Sequence, residues 1–197
     1  MNKMLVLSVA ILTTIGFGSG QGAAHLHNHA GIHAAQSSQS VQMSGALAHV
    51  KSDFSFTVHA PMAVAAPLFG PEAERSWGGS DWNPHFLYPQ PVKDVDGAVF
   101  QVQHGQHAST WVTTALDFAA GHVQYVNIID GLMATKIDIR LTPKGPENTF
   151  VTVVYERTAL KPEANDHVNM LGQNDSESGQ HWGSFIDGYL KTQPQKK

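Results

Sequence analysis

Cysteine is absent from all 197 residues. That excludes disulfides, thiolate catalysis, thiolate metal sites and a lipid-modified N-terminal cysteine. Charge is also scarce. Only 14% of residues are charged, and 12 Lys and Arg face 16 Asp and Glu, for a formal net charge of −4. No basic footprint remains for nucleic acid, so none is expected as a partner. Long hydrophobic runs are missing too. Residues 4–15 are apolar except for Ser8, Thr13 and Thr14, but a bilayer crossing needs about 20 residues. There is no phosphate-binding glycine loop, no nucleophile elbow and no His-Glu-x-x-His helix. What is present is a 42% hydrophobic content. That is enough for the core of one ordinary domain and excludes wholesale disorder.

Residues 1–24 read as an address rather than as part of the fold. Lys3 supplies a positive start, the apolar run follows, and residues 16–24 are small and polar. Gly22 and Ala24 fit the −3 and −1 positions of a cut after Ala24. The expectation is a cleaved signal peptide, a periplasmic or secreted bacterial protein, and no membrane span after cleavage. No twin arginine is present, so the ordinary secretory route is expected.

Residues 25–52 are rich in Ala, Gln, Ser and His and poor in periodic apolar residues. They cannot bury enough surface to offset their ordering entropy, so they read as a flexible linker. His25, His27, His29 and His33 form a dense imidazole cluster, a chelating composition for Cu, Ni or Zn. A cut after Ala24 would make His27 the third mature residue. An amine, two backbone amides and an imidazole then suit square-planar Cu(II) or Ni(II). A solvated tail that binds nothing is the competing reading.

From Asp53 the pattern changes. Phe54, Phe56 and Val58 alternate with polar residues, as in a strand. Two short helical stretches follow, one opened by Pro61 and one by Pro71 with Glu72 and Glu74 near its start. Residues 78–97 form a Gly- and Pro-rich loop that carries Trp82, Phe86 and Tyr88, with an edge strand expected over 85–88. Five strand-like segments come next, at 98–104, 110–118, 122–129, 134–142 and 149–157, each separated by turn formers. Asn127 falls among the apolar residues of its strand. Residues 162–190 have helical spacing, but their middle is polar and glycine-bearing, which predicts a poor or broken helix. The sum is an α+β domain over 53–190 whose antiparallel sheet curls around the final helix, with a disordered tail at 191–197.

This order, with the words FSFTVHAPMAVAAPLFGPEAERSW, WNPHFLYPQP, AVFQVQHGQHASTWV, HVQYV and VTVVYERTAL, resembles the START-like, or SRPBCC, superfamily. The polyketide-cyclase-like and pollen-allergen-type proteins belong there, as do bacterial secreted members. The resemblance implies a helix-grip fold: a curved antiparallel sheet around a long C-terminal helix, two short helices after the first strand, and an internal cavity. It also implies binding of a small hydrophobic or aromatic molecule, or cyclase- or hydrolase-type catalysis, in that cavity.

The expected ligand contacts are aromatic: Trp77, Trp82, Phe86, Tyr88, Phe100, Trp111, Tyr125, Tyr155 and Trp182. Pockets are mostly apolar with a few placed polar groups, and such rings also serve as plain core. His104 shares the alternation of Phe100 and Val102, and His181 adjoins Trp182. Either is a candidate to orient a ligand or act as a base. No nucleophile-base pair and no carboxylate pair is evident along the chain, so no catalytic residue is assigned. The leading expectation is a binding domain. Its rivals are a cavity enzyme, a metal-binding protein working through its histidines, and an interaction module with a solid core.

Overall fold

The computed structural model describes residues 45–194 apart from 106. Strand β1 (His49–Val58) is followed by α1 (Met62–Ala65) and by 3₁₀ turns at Ala66–Phe69 and Ala73–Ser76. Then come β2 (His85–Tyr88), β3 (Val99–His104), β4 (His107–Asp117), β5 (His122–Ile129), β6 (Met133–Pro143) and β7 (Thr149–Ala159). A 3₁₀ turn leads into α2 (Asn165–Asn174). A second, at Asp175–Glu177, joins it to α3 (Ser178–Thr192). The seven strands form one antiparallel sheet in the order β1-β7-β6-β5-β4-β3-β2. This is the helix-grip architecture expected from the sequence. No helix among the described residues is long and apolar enough to cross a membrane.

Boundaries at both ends of the domain extend beyond the expectation. β1 starts at His49, inside the stretch read as linker. Its first residues pair with Thr158 and Arg157 of β7, so partner hydrogen bonds compensate for weak local patterning. α3 continues to Thr192, past the end expected at 190. The C-terminal helix is interrupted at Asp175–Glu177, as its polar middle predicts.

Alternation sorts the strands into two faces. The outer face carries Lys136, Asp138, Arg140 and Glu156, which join in surface ion pairs. The inner face is buried and its residues line up in rows across the strands. One row holds Val123, Ile139, Val153 and Phe54. The next holds Thr113, Tyr125, Ile137, Tyr155 and Ser52. Beyond it lies Phe100, Trp111, Asn127, Thr135, Arg157 and Val50.

The glycines of the final helices have a steric use. A Cβ on Gly179 would meet the Ser55 carbonyl oxygen at 3.0 Å and the Phe54 ring at 3.2 Å, and one on Gly183 would meet Phe56 at 3.3 Å. These glycines let α3 lie directly against β1. Gly179→Leu is expected to push the helix away and cost about 1–3 kcal/mol in overpacking. An unchanged urea midpoint would show that the close approach is dispensable.

Candidate functional site

The interior is built from two apolar clusters. The larger joins Phe54, Phe56, Phe69, Trp77, Trp82, Phe86, Phe100, Trp111, Tyr125, Tyr155 and Trp182. The smaller packs Ile129 and Met133 under Ala164, Val168 and Leu171 of the α2 region. Between them runs the polar middle of one row, Asn127, Thr135 and Arg157, all at most 6% exposed. Neighbouring side chains in such a row have Cβ atoms about 4.5–5.5 Å apart.

Arg157 is satisfied within the protein. Its guanidinium clamps Asp175 through both nitrogens, with Nη2 to Oδ1 at 3.0 Å. The Ser52 hydroxyl also donates to Asp175. The guanidinium carbon lies 4.1 Å from the centroid of the Tyr155 ring. His167 of α2 feels this charge. Desolvation first, and Arg157 second, hold its imidazole below the ordinary range.

Asn127 and Thr135 are different. Asn127 Oδ1 and Thr135 Oγ1 are buried with no hydrogen-bond partner among the described residues, as is Thr113 Oγ1 one row away. Buried polar groups are paired in the great majority of cases, and each unpaired one costs about 1–3 kcal/mol. Several together, on one face and between two apolar clusters, mark a place suited to a molecule that supplies the missing bonds.

Among the described residues two further atoms are buried without a partner, His167 Nε2 and Glu74 Oε1. The 3₁₀ turn that carries Glu74 is held by Asp94, whose carboxylate accepts the Glu72 N–H at 2.7 Å and the Ala73 N–H at 3.1 Å. The turn points Glu74 inward, where it is 4% exposed and its Oε1 is unpaired. Burial first, and the charge of Asp94 second, push its carboxyl well above the ordinary range. Tyr125 and Tyr155 lie close enough for Glu74 to raise their phenols further, although burial is the larger cause for both. A carboxyl whose folded value is raised stabilises the fold at low pH, and that contribution fades as pH climbs from the ordinary glutamate range towards the folded value. Glu74→Gln is therefore expected to flatten the fall of stability with rising pH, by up to about 1.4 kcal/mol per pH unit for one proton. Parallel melting profiles for the two proteins would contradict this.

Most of the aromatic candidates come together, but on one another. Trp182 packs on Phe54 at 5.3 Å and on Trp77 at 5.6 Å. Trp111 packs on Trp82 at 5.3 Å, Phe100 at 5.7 Å and Tyr125 at 6.1 Å, and Phe86 stacks on Phe100. Their polar edges are engaged as well. Trp77 Nε1 donates to the Leu68 carbonyl, Trp82 Nε1 to that of Pro71, Trp111 Nε1 to the Ser109 hydroxyl, and the Tyr125 hydroxyl to the Phe69 carbonyl. These rings are walls first. Trp111 is the row neighbour of the unpaired Asn127, and Tyr155 lies against the Arg157 guanidinium, which is in turn the row neighbour of Thr135.

Two candidates lie outside the interior. Tyr88 is 57% exposed, because the β2–β3 register shifts between Phe86 and Tyr88 and turns its side chain outward. His181 is exposed, because one residue of helix rotates it away from the buried Trp182. The side chain of His104, and His25, His27, His29 and His33, lie outside the described residues. Glu74, Thr135, Arg157 and Asp175 carry no functional signal in the sequence read along the chain. Glu74 and Asp175 sit in 3₁₀ turns whose inward direction no periodicity encodes, and Arg157 and Thr135 occupy inward positions that alternation alone could have flagged.

The sheet, its paired C-terminal helices and the polar-lined interior define a helix-grip domain, the fold class of the START-like proteins. No protein-family model matches the chain, and no curated protein sequence matches it. Solved structures do. A protein from Rhizobium leguminosarum is 12% identical, with 75% of this chain aligned to 98% of that one at a TM-score of 0.54. Norcoclaurine synthase from Thalictrum flavum is 10% identical, over 84% of this chain and 100% of that one, at 0.55. That enzyme has also been solved with dopamine and hydroxybenzaldehyde. A protein from Thermobifida fusca is 14% identical over 75% and 97%, at 0.54. At these identities the likeness is one of fold.

Proposed function

We propose that this protein binds a small molecule inside the grip, with an apolar or aromatic body and several hydrogen-bonding groups. The observation that carries the reading is the set of unpaired buried atoms, Asn127 Oδ1, Thr135 Oγ1 and Thr113 Oγ1, on one face between two apolar clusters. Apolar burial supplies affinity, about 25 cal/mol per Å² before association costs. The polar atoms supply orientation, since a ligand that fails to pair them leaves their desolvation uncompensated. Trp111 and Tyr155 are the aromatic contacts of this reading. Norcoclaurine synthase, a neighbour in fold, has been solved in complex with dopamine and hydroxybenzaldehyde, which supports a small aromatic molecule as the kind of ligand. With residues 1–24 read as a signal, the domain works in the periplasm or outside the cell.

Native mass spectrometry of the protein, purified without unfolding, tests the reading. The expected spectrum contains an extra organic mass that disappears on denaturation, and that Asn127→Leu/Thr135→Val reduces. A clean protein mass in every preparation, with no shift on exposure to a cell extract, would overturn it.

A further inference from the structure

We infer that Glu74 is the counter-ion for a protonated amine, so that the molecule held in the grip is an organic ammonium compound with an apolar or aromatic body. The inference deepens the binding reading above and rests on it.

Three observations support it. Glu74 is 4% exposed, and its Oε1 has no partner among the described residues. Second, among the described residues the groups around it offer no compensating cation. Asp94 in the loop after β2 adds a second negative charge within electrostatic reach, and Tyr125 of β5 and Tyr155 of β7 lie within the same reach. On its own turn, Arg75 is turned away and bonded to Glu72 through Nε at 2.7 Å, while Arg157 is committed to Asp175. Third, the surroundings are aromatic. Trp77 and Trp82 flank the turn and are buried, as are Tyr125 and Tyr155. Aromatic faces attract an organic cation, and do so more strongly when it is desolvated.

A neutral hydroxyl ligand would be served by the threonine and asparagine atoms alone. Two carboxyl groups within electrostatic reach of each other, without an internal cation, are served by a positive one. When the ammonium enters, Glu74 gives up its proton to solvent and the carboxylate pairs with the cation. Binding is thereby linked to release of up to one proton. Apparent affinity rises with pH, by as much as tenfold per pH unit, until the empty-site Glu74 is ionised.

The test compares 2-phenylethylamine with 2-phenylethanol by titration calorimetry on the full chain, in two buffers of different ionisation enthalpy, from about pH 6 to about pH 8. The expected result is an amine affinity that rises with pH and releases a proton, against an alcohol affinity that is flat. Glu74→Gln should lose at least about tenfold in amine affinity and lose the proton release, while keeping alcohol binding and a cooperative melt. Amine binding that is independent of pH, or unaffected by Glu74→Gln, overturns the inference. So does alcohol binding without amine binding, which leaves interior binding intact. Failure of both probes at millimolar concentration also overturns it, and the organic mass in the native spectrum then decides separately whether interior binding survives.

Discussion

Arg157→Met is expected to lower the unfolding free energy by about 3–5 kcal/mol. The guanidinium lies in the polar row and is the cation that offsets Asp175, with Ser52 bonded to the same carboxylate. Both ionic side chains are less than a tenth exposed. Removing the arginine leaves a buried carboxylate without a countercharge, which costs more than the pair is worth. The pair also ties three elements together: β7 through Arg157, β1 through Ser52, and the break between α2 and α3 through Asp175. Arg157→Met/Asp175→Leu should recover most of the loss, because replacing both ions by apolar groups removes the stranded charge. Urea denaturation of the two single variants and the double variant measures this. Equal losses in the single and double variants would contradict it.

Trp182→Ala is expected to cost about 3–5 kcal/mol, as truncation of a buried tryptophan does when its surroundings cannot collapse. Its indole meets Phe54, Phe56 and Trp77 with ring centroids 5.3–6.2 Å apart. It contacts both β1 and Trp77, the residue that closes the turn carrying Glu74. The three partners are themselves held by further rings, so the space cannot close by a simple shift. Loss of this contact should also loosen the Glu74 turn. Thermal melts give the stability change, and accelerated hydrogen exchange at Trp77 and Gly78 reports the loosening. A melt within a degree of the parent protein would show that the aromatic cluster is not what seats the helix.

The fold was largely legible because its signals are local. Ile137, Ile139 and Leu141 against Lys136, Asp138 and Arg140 declare a half-buried strand, and the buried set in the structure is the apolar one. The break in the C-terminal helix followed from its polar, glycine-bearing middle. The purpose of those glycines was hidden, since Ser55 and Phe54 lie more than a hundred residues away in sequence. β1 extends four residues beyond its sequence signal, because His49 to Ser52 have little strand character of their own and are held by β7.

The site was legible only in part. Asn127 stood out because it interrupts an apolar face. Glu74 read as an acid favouring a helix N-terminus, an explanation that suited the sequence and hid its inward direction. That direction depends on Asp94, twenty residues on, which bonds the start of the turn. The aromatic residues were visible as types, but which of them touch each other is set by register, as with Trp111 beside Asn127.

A high-resolution crystal structure of the protein, purified without refolding and examined between Asn127 and Thr135, tests the central claim most directly. The expected result is density for an organic molecule bonded to Asn127 Oδ1 and Thr135 Oγ1 and bordered by Trp111 and Tyr155. Ordered water alone at those atoms, or side chains turned to pair with each other, would contradict it.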